Sequence, residues 1–508
     1  MKPSNELFNL IKSLTKSEKR FFKLSSSLQS GDKNYLKIFD AIDEQLEYNE
    51  PLIKERFKSE KFIKHFPSEK NHLYKLILKS LRSYYSDNSI SSILQQEIKN
   101  IEILYRKSLY EECEKFLQRA KKMAIEHEKF YYHFELIGIE KMLLEEAFEE
   151  GKFNRSIDDL IEEEKTVISK LRNLAEYHVL YSKVNLAFRS EGYTRDENAR
   201  KIIDEVSENH LIKAKDTALS KSAATICYYT QGFCHSANNE KDLSFIAFLQ
   251  VKKILDDNPP LRTDLIKRYI RTIYNLIKIH IYRKEFRSAF KLIEELRKGE
   301  NDEKYSVDTR IRIFRTCYMA ELDIYEKLGE FQEGLKIVKK IEENLEAFKD
   351  KSSKEHLIAF YLKFSLIFIG LGDFNKGLFW INKILNDNEK LLRQDLYSYA
   401  RLINLIIHFE LGNYDLVEYL IKSTQRFLNK KNRDFELETL IISNIKKLSK
   451  CADVEKQKEI LIQFRERLEE LFIIPDNEIL FNYFDFLSWT DSKIDNIPLS
   501  KAIQKRLL

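Results

Sequence analysis

The chain has 508 residues, of which 43% are hydrophobic and 12% aromatic, so it can build a large core. Only 12 Gly and 7 Pro interrupt it, which favours helices joined by short turns. Five widely spaced cysteines argue against a disulfide-stapled secreted domain, and no stretch approaches the roughly 20 apolar residues of a membrane span. We therefore expect an all-α cytoplasmic protein that makes no membrane contact.

The net positive charge is concentrated at the start of the chain. The formal net charge is +5, and residues 1–85 alone carry 17 Lys and Arg against 11 Asp and Glu. One interpretation is a solvated, lysine-rich surface. The other is an anion-binding face for nucleic acid or an acidic partner.

Residues 1–90 are predicted to form a small basic helical module. Thr15 and Glu18 have the spacing of a capping box, which begins a helix. "DKNYLKIFDAIDEQL" has the pattern of a second helix. Pro51 suits the first turn of a third, and Ser68 is the expected N-cap of a fourth.

Two basic clusters in this module are candidates for contact with nucleic-acid phosphates. Lys75, Lys79 and Arg82 lie at spacings of four and three, which places them on one face of the fourth helix. The other cluster flanks two phenylalanines and consists of Lys16, Lys19, Arg20 and Lys23. Both clusters could instead solubilise the module or meet an acidic protein, and no helix-turn-helix signature accompanies them.

From about residue 91 an aromatic turn residue recurs, each time followed by an amphipathic helix. Four clear copies, Phe286, Phe331, Phe374 and Tyr414, are separated by 45, 43 and 40 residues. A weaker pair, Tyr110 and Phe153, is 43 residues apart, and degenerate units are expected near Ala199 and Leu243. A period of this size predicts stacked helical hairpins, because one hairpin cannot bury both of its apolar faces alone.

Small residues mark the predicted turns. Gly329, Gly372 and Gly412 precede three of the aromatics by two residues, where a helix must end with positive φ. Three residues after an aromatic come Gly334, Gly377 and Ala289, which would let two helices approach closely.

The glycine–x–aromatic–x–x–small motif resembles that of the tetratricopeptide repeat (TPR), and the match is best over about residues 261–428. The units are 40–46 residues long, against the usual 34 of that family. The resemblance implies a right-handed α-solenoid of TPR-like helical hairpins over residues 91–430. The helices expected in residues 431–508 would cap the solenoid, because terminal units need an altered outer face.

The resemblance also implies a ligand site. In TPR domains, Asn, Lys and Arg on the first helix of a hairpin often hold a peptide backbone or its C-terminal carboxylate. The helix "RYIRTIYNLIKIHIY" carries Arg271, Tyr274, Asn275 and Lys278, which are the candidate peptide- or protein-binding residues. The alternative is a hydrated outer face that binds nothing.

No motif indicates catalysis, a cofactor or a metal. Cys227, Cys234 and His235 lack a fourth ligand and the spacing of a zinc site, and Gly370 and Gly372 form a GxG that no strand precedes. We therefore expect a protein that is not an enzyme and has no metal or cofactor.

The function predicted from the sequence is a non-catalytic scaffold or adaptor that binds a peptide or protein partner in its groove. The alternative is a nucleic-acid-binding regulator whose repeats sense a peptide or protein. Its layout resembles bacterial regulators that join a DNA-binding head to TPR-like repeats. A third hypothesis is an enzyme with an unfamiliar helical active site. The sequence does not determine the partner, the pathway or the oligomeric state.

Overall fold

A computed structural model of the chain describes residues 5–27, 34–87, 89–150, 155–191, 197–214, 216–348, 354–386, 394–430, 436–473 and 484–507. Within these ranges the fold is all-α, with no strand and one 3₁₀ helix at Lys61–His65. None of the helices in these ranges combines the length and the apolar character that a bilayer crossing requires.

The α-helices of the described residues are, in chain order, α1 (Glu6–Ser13), α2 (Lys16–Ser27), α3 (Asn34–Glu44), α4 (Glu50–Arg56), α5 (Phe66–Tyr84), α6 (Ile90–Tyr105), α7 (Tyr110–Glu126), α8 (Phe130–Glu150), α9 (Ile157–Glu191), α10 (Glu197–Ser207), α11 (His210–Lys213), α12 (Lys221–Ala237), α13 (Lys241–Asp256), α14 (Pro259–Asp264), α15 (Ile266–Tyr282), α16 (Phe286–Arg297), α17 (Val307–Leu328), α18 (Phe331–Phe348), α19 (Lys354–Gly370), α20 (Phe374–Leu385), α21 (Gln394–Glu410), α22 (Tyr414–Lys430), α23 (Glu436–Lys450), α24 (Val454–Ile473), α25 (Phe486–Ile494) and α26 (Leu499–Leu507).

The chain divides into two compact units. Unit 1 comprises Met1–Ile168 and unit 2 comprises Ser169–Leu508, so that the boundary falls within α9. The division predicted from the sequence, into residues 1–90, 91–430 and 431–508, remains a prediction.

In unit 1, α1 to α5 surround an apolar cluster that includes Phe22, Phe39 and Phe66. The predicted capping box is confirmed, because the Thr15 N–H donates to the Glu18 carboxylate at 2.5 Å and the Glu18 N–H donates to Thr15 Oγ1 at 3.2 Å. Pro51 lies in the first turn of α4, as predicted.

The predicted N-cap at Ser68 is wrong, because α5 begins two residues earlier, at Phe66. Pro67 explains the difference. Proline has no N–H to leave unpaired and a φ suited to a helix, so it is favoured in the first turn, which leaves Ser68 inside the helix.

Unit 2 contains a run of antiparallel helical hairpins. Each of α12, α15, α17, α19 and α21 packs against the helix that follows it. The first helices of successive hairpins also pack side by side, α15 on α17, α17 on α19, and α19 on α21.

The predicted hairpin turns are confirmed in detail. Phe286, Phe331, Phe374 and Tyr414 are the first residues of α16, α18, α20 and α22. Gly329, Gly372 and Gly412 have φ values of 67°, 77° and 72°. In each turn the residue after the glycine donates its N–H to a carbonyl five residues back, as Glu330 does to Tyr325 at 2.9 Å.

Two further turns of unit 2 use the same geometry without glycine. Asn239 and Lys284 have φ values of 61° and 57°, two residues before the starts of α13 and α16. The degenerate unit that the sequence placed near Leu243 therefore turns at Asn239, with Lys241 at the position that is aromatic elsewhere. Phe153, which is the turn aromatic of another weak unit, lies outside the described residues.

Small residues permit the predicted close packing. A Cβ at Gly334 of α18 would lie 2.6 Å from Ile367 Cδ1 of α19. Ala289 is fully buried in the joint between α15, α16 and α17. The three-residue offset from the turn aromatic thus marks the face on which each second helix meets its neighbours.

The last two helices lie against the first helices of hairpins. Trp489 of α25 donates its indole N–H to Glu410 of α21 at 2.7 Å. Ile503 of α26 is buried in the apolar cluster of α17, α18 and α19. A Cβ at Gly329 would come within 2.8 Å of the Ser500 carbonyl oxygen, so α26 runs close over the end of α17.

Candidate ligand-binding cavity

The candidate site begins with polar rows on neighbouring first helices of unit 2. In α15, Lys267, Arg271, Tyr274 and Lys278 follow one another at spacings of four, three and four, which places them on one face. In α17, Arg312 and Arg315 occupy the equivalent kind of row. Because α15 packs beside α17 and α17 beside α19, the rows lie next to each other.

These rows line a cavity of about 1070 Å³. Its walls come from α13, α15, α17 and α19, with Glu469, Phe472 and Ile473 from α24 and Ile503, Arg506 and Leu507 from α26. A cavity of this size exceeds the roughly 300–1,000 Å³ typical of small-molecule sites, so it has room for a short peptide segment.

The cavity lining is strongly basic. Among the described residues three acidic ones contribute to it, Asp323, Glu469 and Asp485. Ten Lys or Arg residues do so, namely Lys241, Lys267, Arg271, Lys278, Lys284, Arg312, Arg315, Lys327, Lys363 and Arg506. Apolar side chains such as Ile270, Met319 and Leu362 lie between the charges. The lining therefore suits an anionic ligand that also has apolar groups.

The positive charge is neutralised at the end of the cavity formed by α19. Lys363 pairs with Asp323 at 2.8 Å and with Glu326 at 2.7 Å. Burial by itself would lower the pKa of Lys363, but the two carboxylates outweigh it and raise that pKa. This lysine is therefore held in a buried group with two acidic partners and contributes no free positive charge to the cavity.

The charge is not neutralised between α15 and α17. One carboxylate, Asp308, accepts from Arg312 Nε at 2.9 Å and pairs with Lys267 Nζ at 3.1 Å. Burial acts to raise the pKa of Asp308, and these two cations outweigh it and lower the pKa. Arg271 donates to the neutral Tyr181 hydroxyl at 3.1 Å.

Arg315 is the least satisfied of these cations. Among the described residues it has no hydrogen-bond or ion-pair partner, although it is half-buried in the cavity wall. Burial lowers the pKa of its guanidinium to about 10, and the nearby Arg312 and Arg271 contribute to that decrease. An anion bound here would relieve the repulsion among these groups.

The structure brings together three of the four candidate peptide-binding residues. Arg271, Tyr274 and Lys278 line the cavity, and the Lys278 ammonium lies 5.1 Å from the centre of the Tyr274 ring. Asn275 does not line the cavity, because it lies one position round the helix and contacts Tyr229 of α12 instead.

Sequence reasoning missed Lys267, Arg312 and Arg315. A signal for the last two was present, since they continue a row from Asp308 to Met319 at helical spacing. Nothing in the one-dimensional pattern indicates that this row faces the row of α15, because that depends on how the hairpins pack.

The basic residues of unit 1 do not form a single surface. α2 faces α5 through Phe21 and Ser25, which contact Tyr84 and Ser80. By helical periodicity, the exposed Lys16 and Arg20 lie on the far side of α2. The other two members of that cluster pair with acidic groups of α3, Lys19 with Asp43 at 2.5 Å and Lys23 with Asp40 at 2.6 Å.

Lys75, Lys79 and Arg82 form an exposed row on the side of α5 turned away from α2. Within the described part of the chain, none of the three has a hydrogen-bond or ion-pair partner. They therefore make a second basic face, separate from that of α2.

The cysteines and the histidine singled out in the sequence all lie within α12. Cys227 and Cys234 are buried, and the Cys227 thiol lies 3.6 Å from the Leu211 carbonyl oxygen. His235 contacts Glu240 at 2.5 Å across the turn that follows α12. In the ranges that the structure describes, no three His, Cys, Asp or Glu residues are grouped to hold a metal ion.

No protein-family model matches the chain, and no curated protein matches it.

Proposed function

We propose that the chain is a non-catalytic scaffold or adaptor that binds a protein or peptide partner in the basic cavity of unit 2. In this proposal the hairpins from α12 to α22 belong to a right-handed, TPR-like α-solenoid. The observation that carries the proposal is the cavity itself, which gathers charged and apolar side chains from three adjacent first helices.

The side-by-side packing of α15, α17 and α19 supports this proposal. Helical-repeat proteins use the first helices of their hairpins as one extended binding surface, because each hairpin adds a similar row of side chains. Here Arg271 and Lys278 alternate with Tyr274 along the wall. Arginine and lysine would hold carboxylates of the partner, and the apolar positions would bury its hydrophobic side chains.

Site-specific photo-crosslinking tests the proposal. A benzoylphenylalanine at position 274 stands in the cavity, whereas one at position 419 stands on the outer part of α22, where Tyr419 is highly exposed. After irradiation of the full-length protein in cells, we expect discrete crosslinked proteins from position 274 only. The double substitution R271E/K278E should abolish these crosslinks.

The same crosslinks from both positions would contradict the proposal, and so would none from position 274. The matched control is K422E/K430E, which makes the same change of charge at two exposed residues of α22. We expect that variant to keep the parent crosslinks, since neither lysine lines the cavity.

A second candidate function, nucleic-acid binding by unit 1, is favoured by the exposed row of Lys75, Lys79 and Arg82. These three cations lie at helical spacing and have no partner in the described ranges, which suits contacts with successive phosphates. The regulator hypothesis joins this face to a ligand-sensing unit 2.

Salt titration of duplex DNA and single-stranded RNA binding tests this second candidate. Each phosphate contact contributes about −0.9 to the slope of log K against log salt on duplex DNA. If the row of α5 makes three contacts, K75Q/K79Q/R82Q should reduce the magnitude of that slope by about 3. The matched variant K16Q/R20Q, on the far side of α2, should change it little. An unchanged slope in the first variant would exclude the α5 row.

A further inference from the structure

The basic cluster between α15 and α17 indicates what kind of anion the cavity accepts. We define this cluster as Lys267, Arg271, Arg312 and Arg315. We propose that this cluster binds a phosphate monoester on the segment of the partner protein that enters the cavity. The cavity would then recognise a phosphorylated residue. This inference rests on the proposed function, because it assumes that a protein segment enters the cavity.

The charge balance of the cluster favours phosphate over a single carboxylate. The four cations lie near one carboxylate of the protein, Asp308, which already forms ion pairs with Lys267 and Arg312. One carboxylate from a ligand would leave most of the excess positive charge uncompensated. A phosphate monoester carries a charge of about −1.5 to −2 at pH 7 and offers three acceptor oxygens, so it compensates much more of that charge.

The donors also have the geometry that a phosphate needs. Guanidinium groups present parallel N–H donors that match pairs of phosphate oxygens, and they are less strongly hydrated than ammonium groups. Arg315 is half-buried and has no partner among the described residues, so its donors are available within the wall. Arg271 donates to the neutral Tyr181, a contact that costs little to exchange for a charged ligand.

The neighbouring groups would position the rest of the segment. Tyr274 and Met319 lie on the same two helices beside the cluster, and Ile270 adds an apolar contact. A phosphorylated peptide can contact the cations of the cluster with its phosphate and the adjacent apolar residues with its side chains. A free phosphate ion would contact the cations alone. We therefore assign the phosphate to a peptide segment.

Three labelled peptide pools test this inference on immobilised full-length protein. Each pool has five randomised positions on either side of a central residue, which is phosphoserine, glutamate or serine. We expect the phosphoserine pool to be retained about 10-fold more than the serine pool and clearly more than the glutamate pool. R271Q/R315Q should reduce phosphoserine retention to the level of serine.

Two further variants separate geometry from charge. R315K keeps the charge but loses the paired donors, and it should lower phosphoserine retention by several-fold. K422Q/K430Q removes two charges from α22, outside the cavity, and should leave retention unchanged. The preference for phosphoserine over serine and glutamate is measured first on the parent protein. That comparison tests phosphate recognition even if a cavity variant misfolds.

The outcomes distinguish this inference from the proposed function. Equal retention of the glutamate and phosphoserine pools would overturn phosphate recognition, and so would retention of neither pool. In both cases the crosslinks from position 274 would still decide whether the cavity binds a protein partner. If R271Q/R315Q retains the phosphoserine pool as strongly as the parent protein does, the phosphate binds elsewhere. That result would overturn its assignment to the basic cluster.

Discussion

Equivalent glycines in successive turns carry different physical constraints. Gly329 and Gly372 both have positive φ, at 67° and 77°, which disfavours any residue with a Cβ. Apart from its chain neighbours, no described residue lies within 4 Å of a Cβ built at Gly372, whereas the Ser500 carbonyl oxygen lies 2.8 Å from one built at Gly329. Backbone strain therefore acts alone at one turn and together with a steric clash at the other.

We expect G372A to lower the free energy of unfolding by about 1 kcal/mol, the cost of left-handed backbone at a residue with a Cβ. G329A should lower it by about 3 kcal/mol, because the new methyl group must also displace α26. Urea denaturation of the two variants measures the difference. Equal losses would mean that α26 does not pack over Gly329 as described.

A buried ionic network in unit 1 was not foreseen from the sequence. Glu163 accepts from Lys121 at 2.9 Å, from His133 at 2.6 Å and from Arg155 at 2.5 Å, and Lys121 and Arg155 also contact Glu140. Burial alone would raise the pKa of Glu163. The three hydrogen bonds outweigh burial and lower that pKa to about 2.

This shift predicts acid sensitivity for unit 1. Unfolded glutamate titrates near pKa 4.3, above the folded value, so the contribution of Glu163 is complete above about pH 4.3 and lost as the pH falls towards 2. E163Q should therefore lose on the order of 3 kcal/mol at pH 7 and show a weaker pH dependence between pH 4.3 and 2.

The matched control for E163Q is E162Q. Among the residues that the structure describes, Glu162 pairs with the exposed Lys165 alone, at 2.6 Å on the surface of α9, so we expect a loss of less than about 1 kcal/mol. Chemical denaturation at a series of pH values provides both measurements. The prediction is wrong if E163Q and the parent have parallel stability curves across that pH range.

At the scale of elements, the turn aromatics differ in how much they stabilise the packing between neighbouring hairpins. Phe331 is only 3% exposed and packs in the cluster of α17, α18 and α19. Phe374 is half-buried and packs only partly against the cluster of α19 to α22. The difference arises because Phe331 lies beneath the last turn of α19, at Gly370, where a Cβ would meet its ring.

We expect F331A to cost about 3–5 kcal/mol, as for a fully buried ring, and F374A about half as much. Hydrogen exchange should increase in α17 to α19 for F331A and in α19 to α22 for F374A, with α1 to α5 unchanged in both. Uniform loss of protection over the whole chain would instead indicate one cooperative body.

α26 is a wall of the cavity as well as a terminal helix. Ile503 is buried against α17, while Arg506 of the same helix pairs with Asp491 at 2.5 Å and with Glu469 at 3.2 Å. I503D should release α26 and increase hydrogen exchange in residues 499–507 and in α17, because a carboxylate cannot be buried there unpaired. The exposed Q504D on the same helix should not.

At the scale of the whole molecule, the two units can be followed separately. Both tryptophans, Trp380 and Trp489, are buried in unit 2, so that their fluorescence reports on that unit alone. Far-UV circular dichroism reports the helices of both units.

On acidification we expect helix content to fall before the tryptophan signal changes. Unit 1 depends on Glu163 and on Glu50, whose pKa falls to about 2 because hydrogen bonds from Lys54, Lys70 and Tyr48 outweigh its burial. In unit 2 the pKa of Asp308 is also lowered, but burial raises the pKa of Glu326, which favours its protonated folded form as the pH falls and opposes the loss at Asp308. Coincident transitions by the two methods would contradict separate unfolding.

The sequence by itself determined the local structure. Helix starts at Phe286, Phe331 and Phe374, the left-handed glycines and the Thr15 capping box could be predicted because each depends on residues a few positions apart. Arg271, Tyr274 and Lys278 could be proposed as site residues for the same reason, since they share one helix.

Only the tertiary structure decided which rows of side chains meet. Three kinds of contact join residues that are from 30 to 171 positions apart: the Arg315 guanidinium beside the row of α15, the return of α26 over Gly329, and the contacts of Glu163 with Lys121 and His133. Such contacts depend on the packing angle and offset of whole hairpins. These follow from the summed fit of many apolar side chains, so no local pattern encodes them.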